Sequence, residues 1–488
     1  MNDILTILYG DAYKFSHKKQ YPHGLTKLVS YWTPRKTMSK KYDKMVFFGL
    51  QEFIQRYLID DFNKNFFEKP LDDVLKEYTS VLNASLGKGN YNIEPIIELH
   101  QLGYIPLQIR ALPEGSVVNM GIPCIEITNT HEDFAWLVQF IECLLQTELW
   151  SSCGYATIGK IYKELAKKYY DLTVDNGDPS MAMCDFGMRG MSCLEDSIRT
   201  SASWLLSFNK TSTVPALPYV RKYYKANEDI GQCAISTEHS VMASNFAVDG
   251  DEITFVKRLL TELYPHASFS MVSDTYDYWN MVKNILPQCK KEIMNHDGKL
   301  LVRPDSGDIV EISIETIKIL WSTFGGTVNS KGYKVLDPHV GLIYGDGCTI
   351  NKVEEIYKKL EELGFAASNI AFGVGAFCFH ALFENNGEFV VMTRDTFGIA
   401  MKSTFGEIGG FKFPIYKDPK TDTSKLKKSH KGCCKIIKNG SSYDCIDGLF
   451  ELVEDNETEL KTVFYDGALK EDTFENIRNR LEEVSYYD

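Results

Sequence analysis

The sequence has no apolar run long enough to cross a membrane, and its opening residues, Met1-Asn-Asp-Ile-Leu-Thr-Ile-Leu-Tyr-Gly, are too short and too polar for a secretory signal. It has no Cys-x-x-Cys pair. Its 12 cysteines are irregularly spaced, with only Cys433 and Cys434 adjacent, so neither a zinc cluster nor a disulfide framework is expected. A reducing compartment, the cytoplasm, is the simplest setting. Positive charge is in deficit: the net charge is -13 and the pI about 5.4, which argues against a general nucleic-acid binder. An anionic substrate would then need cations gathered locally. There is no G-x-x-x-x-G-K-[ST], which argues against a P-loop NTPase. Gly373-Val-Gly375 is not extended to G-x-G-x-x-G, because Cys378 stands at the third position. No internal repeat or low-complexity segment stands out.

What is present is an ordinary globular balance over 488 residues, enough for two or three domains. The stretch Leu300-Leu-Val-Arg303-Pro-Asp305-Ser-Gly307-Asp308 organises the chain. Three apolar residues read as the end of a buried strand, and Pro304 and Gly307 punctuate a turn. Asp308 and Glu311 form a capping pair before the apolar stripe Ile309, Ile312, Ile314 and Ile317 of a helix. Arg303 and Asp305 therefore fall on the C-terminal rim of a strand, where α/β folds place their sites. Arg303 suits phosphate or an aromatic face, and Asp305 suits ribose hydroxyls or a metal. A structural pair fixing the turn is the plainer reading of this motif alone.

Residues 1–179 read as an α+β region. It holds a strand over Leu28–Thr33 that delivers Arg35, a helix over Phe53–Phe67, short strands within 104–130, and helices over Phe134–Ser152 and Tyr155–Tyr170. Residues 180–400 alternate short strands with helices. Six strand ends carry polar or glycine residues: Asp185-Phe186-Gly187, Glu238-His239, Ser273-Asp274, Arg303-Pro-Asp305, Gly345-Asp346-Gly347 and Gly373-Val-Gly375. That rhythm predicts a parallel α/β barrel with its site on one rim, an open doubly wound sheet being the competitor. A turn at Asn385-Asn386-Gly387 predicts a hairpin. Residues 401–488 hold a basic, turn-rich loop with Lys425, read plainly as a solvated charge run, and a closing helix near Phe474–Val484 that packs back on the N-terminal region.

Arg189, Arg303, Arg394 and Lys402 could supply phosphate-binding cations, and the glycine-rich strand ends could supply backbone N–H donors. Ser273-Asp274 and Asp305 could hold ribose hydroxyls or hydrated magnesium. His239, beside Glu238 at a strand end, points to function more than a lone histidine does. Phe186 beside Arg189 suits stacking of a flat heterocycle, although a buried Phe at a strand end is commoner.

In order, Asp11-x-Tyr13-Lys14-x-x-His17, Asp185-Phe-Gly-x-Arg189-Gly, Glu238-His239-Ser, Ser273-Asp274-x-Tyr276-Asp, Arg303-Pro-Asp305-Ser-Gly, Gly345-Asp-Gly347, Thr393-Arg-Asp395 and Lys417-Asp-Pro closely resemble the nicotinamide phosphoribosyltransferases, from about residue 5 to 432. The resemblance implies a type II phosphoribosyltransferase: an irregular α/β barrel plus an α+β domain, acting as a homodimer with shared sites. The reaction would join nicotinamide to phosphoribosyl pyrophosphate, giving nicotinamide mononucleotide and pyrophosphate in NAD salvage. Phe186 and the other subunit's Tyr13 would sandwich the pyridine ring, with Arg303, Gly375 and Ala376 lining the pocket. Asp305, Gly345 and Asp346 would hold ribose and phosphate. Arg189 and His239 would meet the phosphates together with Arg35, Arg394 and Lys402 from the other subunit and Lys425 of the basic loop. His239 would be phosphorylated by ATP, and Asp274 would lie near magnesium-bound pyrophosphate.

Two positions depart from the family pattern. Lys210-Thr211-Ser212 stands where the family has Gly-Thr-Asp, and Ala376 replaces a glycine. Ser212 keeps nicotinate as an alternative substrate, since nicotinate-using relatives are similar in having serine there. A non-catalytic binding or signalling protein on the same fold is the rival of a different class.

Overall fold

Leu28, Val29, Tyr31 and Trp32, whose bulky side chains suit a pleated surface, are buried in the strand Leu25–Thr33. In this computed structural model, which describes residues 4–422 and 428–487, that strand is central to a seven-stranded antiparallel sheet. It pairs with Ala400–Ile408 on one side and Ile125–Asn129 on the other. Leu107–Ala111 and then Lys461–Tyr465 extend the sheet, so a C-terminal strand joins N-terminal ones. Facing residues form a buried polar network: Glu126 accepts from the Tyr31 hydroxyl and from the Arg110 guanidinium. Buried charges are tolerated when paired in this way.

The chain divides into two compact units. The first contains this sheet and comprises residues up to Thr157, Tyr219–Asn227 and those from Val390 onward. The second, Ile158–Pro218 with Glu228–Phe389, is built on a six-stranded sheet in the order Met183–Asp185, Ile370–Val374, Val340–Tyr344, Leu300–Arg303, Phe269–Val272, Ile235–Ser236. Every pairing in it is parallel. Parallel bridges at Asp185↔Thr211 and Lys210↔Gln232 lead from one outer strand towards the other, which curls the sheet into an incomplete barrel. Asp308 caps the helix Ile309–Phe324, its Oδ1 accepting from the N–H groups of Val310 and Glu311 at 3.0 and 2.9 Å. The helix Ile350–Glu362 ends before Gly364, whose φ of +72° suits glycine.

One helical expectation is corrected. The two helices divided near residue 153 are instead Ala135–Phe140 and one 32-residue helix, Glu142–Thr173. Gly154 does not break it. A Cβ there would come within 2.8 Å of the Met392 sulfur, so the glycine serves close packing. The expected helix over Phe53–Phe67 runs from Leu50 to Phe67 with wide π-type turns. No helix among the described residues is long and apolar enough to cross a membrane.

Candidate active site

The parallel unit carries Phe186, Arg189, Ser212, His239, Asp274, Arg303, Asp305, Gly345, Asp346, Gly375 and Ala376, all at or beyond the C-terminal ends of its strands. Tyr13, Arg35, Arg394 and Lys402 belong to the other unit, and Lys425 lies outside the described residues.

The pocket begins with a buried carboxylate. Asp185 accepts from the Gly187 N–H at 2.7 Å and from the hydroxyls of Thr211 and Thr213 at 2.9 and 2.8 Å. Burial pushes its pKa up, and these donors oppose the shift. The bonds hold the turn that presents the half-buried Phe186. The sequence reading took Asp185 as part of a motif and Thr211 as part of Lys210-Thr211-Ser212, but it did not tie Thr211 to that carboxylate and left out Thr213. Their i, i+2 spacing was the available signal.

Two glycines let the Phe186 ring settle. A Cβ on Gly373 would fall 2.1 Å from a carbon of that ring. A Cβ on Gly345 would meet Asp305 Oδ1 at 2.7 Å, and Arg303 Cδ and Phe186 Cε2 at 3.7 Å each. Phe186, Arg303, Asp305 and Gly345 therefore converge on one spot, as their strand-end positions suggest. The turn holding Arg189 packs against Ala376: a Cβ on Gly190 would lie 2.4 Å from the Ala376 methyl. Arg189 and Asp346 are exposed.

Arg303 Nη2 donates to the Thr237 carbonyl at 2.8 Å, while its buried Nε has no hydrogen-bond partner. Asp274 Oδ2 accepts from the Asp305 N–H at 2.9 Å and the Ser306 hydroxyl at 2.6 Å. Its Oδ1 is also buried without a hydrogen-bond partner, 3.9 Å from His239 Nε2. An orphaned buried donor and an orphaned buried carboxylate oxygen are costly unless a ligand completes them. His239 is exposed at the start of the helix His239–Asp249, its Nδ1 3.1 Å from the Thr275 hydroxyl.

The antiparallel unit holds a cavity of about 900 Å³ lined by Arg35, Lys36, Lys44, Lys402, Lys428 and His430 against Asp43 and Asp447. Arg35 Nε donates to the Gly398 carbonyl at 2.9 Å. Burial lowers its pKa, and nearby Arg394 lowers it further. Lys402 Nζ lies 3.8 Å from Glu142 Oε1, and burial lowers its pKa as well. Cations held this close together in a partly buried space favour an anionic guest. Exposed Arg394 pairs with its neighbour Asp395 at 2.9 Å. Tyr13 is exposed on the 3₁₀ segment Ala12–Lys19, its ring centroid 5.0 Å from that of His17. Lys428 and His430 were not singled out from the sequence, since nothing local separates them from a solvated basic loop.

Residues 181–468 match the nicotinate phosphoribosyltransferase (NAPRTase) family. The chain belongs to that family. Residues 5–109 also match the nicotinamide phosphoribosyltransferase N-terminal domain. The chain is 38% identical over 497 aligned residues to the nicotinamide phosphoribosyltransferase of Acinetobacter baylyi, covering 96% of each. It is 30% identical to that of Xanthomonas campestris, covering 97% of each, and 30% identical to that of Mycoplasma pneumoniae over 86% of this chain and 93% of that one. Among solved structures it resembles nicotinate-nucleotide pyrophosphorylase from Pyrococcus furiosus, with a TM-score of 0.61 and 16% identity over 99% of this chain and 96% of that one. Human nicotinic acid phosphoribosyltransferase gives 0.55 and 14% identity over 97% and 93%. At these identities the likeness speaks for the fold, and it agrees with the expected type II phosphoribosyltransferase-like barrel with an additional α+β domain. The protein is a phosphoribosyltransferase.

Proposed function

We propose that this phosphoribosyltransferase condenses nicotinamide with phosphoribosyl pyrophosphate, yielding nicotinamide mononucleotide and pyrophosphate for NAD salvage in the cytoplasm. The convergence of Phe186, Arg303, Asp305 and Gly345 on one rim carries the reading, and the curated relatives support the choice of base. The Phe186 face stacks the pyridine ring, and Arg303 borders it. Asp305 takes the ribose hydroxyls beside Gly345, where the absence of a side chain leaves room. Breaking the C1–pyrophosphate bond builds positive charge on the ribose and negative charge on the leaving oxygen, while the pyridine nitrogen forms the new bond to C1. The base needs alignment more than activation, and stacking supplies it.

The donor set fits magnesium at Asp274. Its unpartnered Oδ1, with Asp305 alongside, would hold the hydrated ion, which neutralises charge on the leaving pyrophosphate. His239, oriented by Thr275 and beside Asp274, is the residue we assign to phosphorylation by ATP, coupling hydrolysis to turnover. Tyr13, Arg35, Arg394 and Lys402 lie on the other unit, and we assign them to the partner's site in a homodimer.

A second reading, nicotinate use, rests on Ser212. No carboxylate stands at that position to repel an acid. The test is turnover of the purified full chain with phosphoribosyl pyrophosphate, magnesium and either base, with the product identified by mass. Nicotinamide mononucleotide as main product is expected. Preferential nicotinate use would establish the second reading, and no turnover with any pyridine base would favour a binding protein.

A further inference from the structure

We propose that His430, Cys434, Cys445 and Asp447 form a binding site for a zinc-class transition-metal ion. The residues fall within the segment 430–447, and a hairpin brings its two ends together. Its strands are Cys433–Asn439 and Ser442–Leu449, with Ile436 opposite Cys445 and a register shift between Cys433 and Lys435. Side chains alternate along a strand, so Cys445 and Asp447 share one face, and the shifted register turns Cys434 towards it. His430 reaches that face from the preceding loop. Gly432 makes this approach possible, with φ at +71° and no room for a Cβ against the Leu449 carbonyl.

His430 Nδ1 and the sulfurs of Cys434 and Cys445 all lie within 4.8 Å of one another. Cys445 Sγ is 4.0 Å from His430 Nδ1, and Asp447 Oδ2 is 3.3 Å from the same nitrogen. Tetrahedral zinc, with bonds of about 2.3 Å to sulfur and about 2.0–2.1 Å to nitrogen and oxygen, sets its donor atoms roughly 3.3–3.8 Å apart. The imidazole and the two sulfurs approach that spacing, and Asp447, within reach of His430 Nδ1, is the nearby oxygen donor for the fourth position.

Independent contacts hold the donors in place. His430 Nε2 is 2.9 Å from the Gly121 carbonyl, which can only accept, so this nitrogen donates and Nδ1 is the ring nitrogen left facing the cluster. Metal-bound histidines are oriented in this way. The Cys434 N–H donates to the Tyr31 hydroxyl at 2.8 Å, tying the hairpin to the buried network of the large sheet. Two thiols, an imidazole and one carboxylate select zinc over a hard cation such as magnesium, which prefers oxygen ligands throughout. Because His430 and Asp447 also line the cationic cavity, a bound ion would fix part of its wall.

The test is metal content of the full chain purified without chelator, incubated with zinc and dialysed. We expect about one zinc per chain in the wild type, and loss of it in Cys445→Ser and His430→Gln, with circular dichroism confirming that both variants are folded. Cobalt should replace zinc in the wild type, giving tetrahedral d–d bands and a thiolate-to-metal charge-transfer band. Background metal only, or equal stoichiometry in both folded variants, overturns the site. Should the variants fail to fold, the wild-type cobalt spectrum decides: no charge-transfer band means no site. Metal content and spectrum are read without turnover, so their outcome is independent of the proposed reaction.

Discussion

The Ser212 hydroxyl donates to the main-chain carbonyl of Asp185 at 2.8 Å. A carbonyl cannot donate, so the single hydroxyl proton is committed, and what Ser212 offers a ligand is an acceptor oxygen. A carboxamide N–H can use that acceptor. A carboxylate cannot, yet it meets no opposing charge there either.

From this we expect nicotinamide to be the main substrate and nicotinate a measurable, poorer one. Ser212→Asp adds like-charge repulsion against the acid alone. The amide preference in kcat/KM should then rise by roughly 1–3 kcal/mol. Steady-state kinetics of both enzymes with both bases provide the measurement. An unchanged ratio would assign selectivity to another residue.

Gly373 supports the aromatic platform. Its Cβ would occupy the space of the Phe186 ring, so Gly373→Ala must displace the ring or the strand at a cost of ~1–3 kcal/mol. KM for the pyridine base should rise while KM for phosphoribosyl pyrophosphate changes little. Parallel increases in both would point to a general disturbance of the barrel rim.

His239→Ala should abolish stimulation by ATP and leave basal synthesis. The side chain is exposed, with Thr275 at 3.1 Å and Asp274 at 3.9 Å as its polar neighbours, so stability should be nearly unchanged. Initial rates with and without ATP decide. Stimulation that survives the substitution removes His239 from the coupling step.

Shared sites can be tested by complementation. Tyr13→Ala and Arg303→Ala chains, each impaired alone, should regain a fraction of wild-type activity when mixed, because one site of the heterodimer would be intact. If heterodimers form without rescue, Tyr13 serves the site of its own chain.

The local pattern of the sequence already carried the barrel rim. Strand ends, the Asp308 cap and the stop at Gly364 follow from side-chain periodicity and turn chemistry acting over a few residues. The same locality explains the misplaced helix break. Gly154 sits inside the long helix, and its missing side chain makes room for Met392, remote in sequence. Likewise the glycines at 345 and 373 read from local pattern as phosphate-loop signals, Gly345 also as part of the ribose and phosphate site that the resemblance implies, whereas the structure shows what they make room for: Asp305 beneath one and the Phe186 ring against the other. The clamp of Thr211 and Thr213 on Asp185, the cations around one cavity, and the meeting of His430 with Cys434 and Cys445 depend on strand order and hairpin register. Residue types and spacing determined which chemistry the chain could hold. Only the tertiary structure decided which groups meet, because contacts between remote residues are set by how the strands align and cross over, and no short stretch of sequence encodes that alignment.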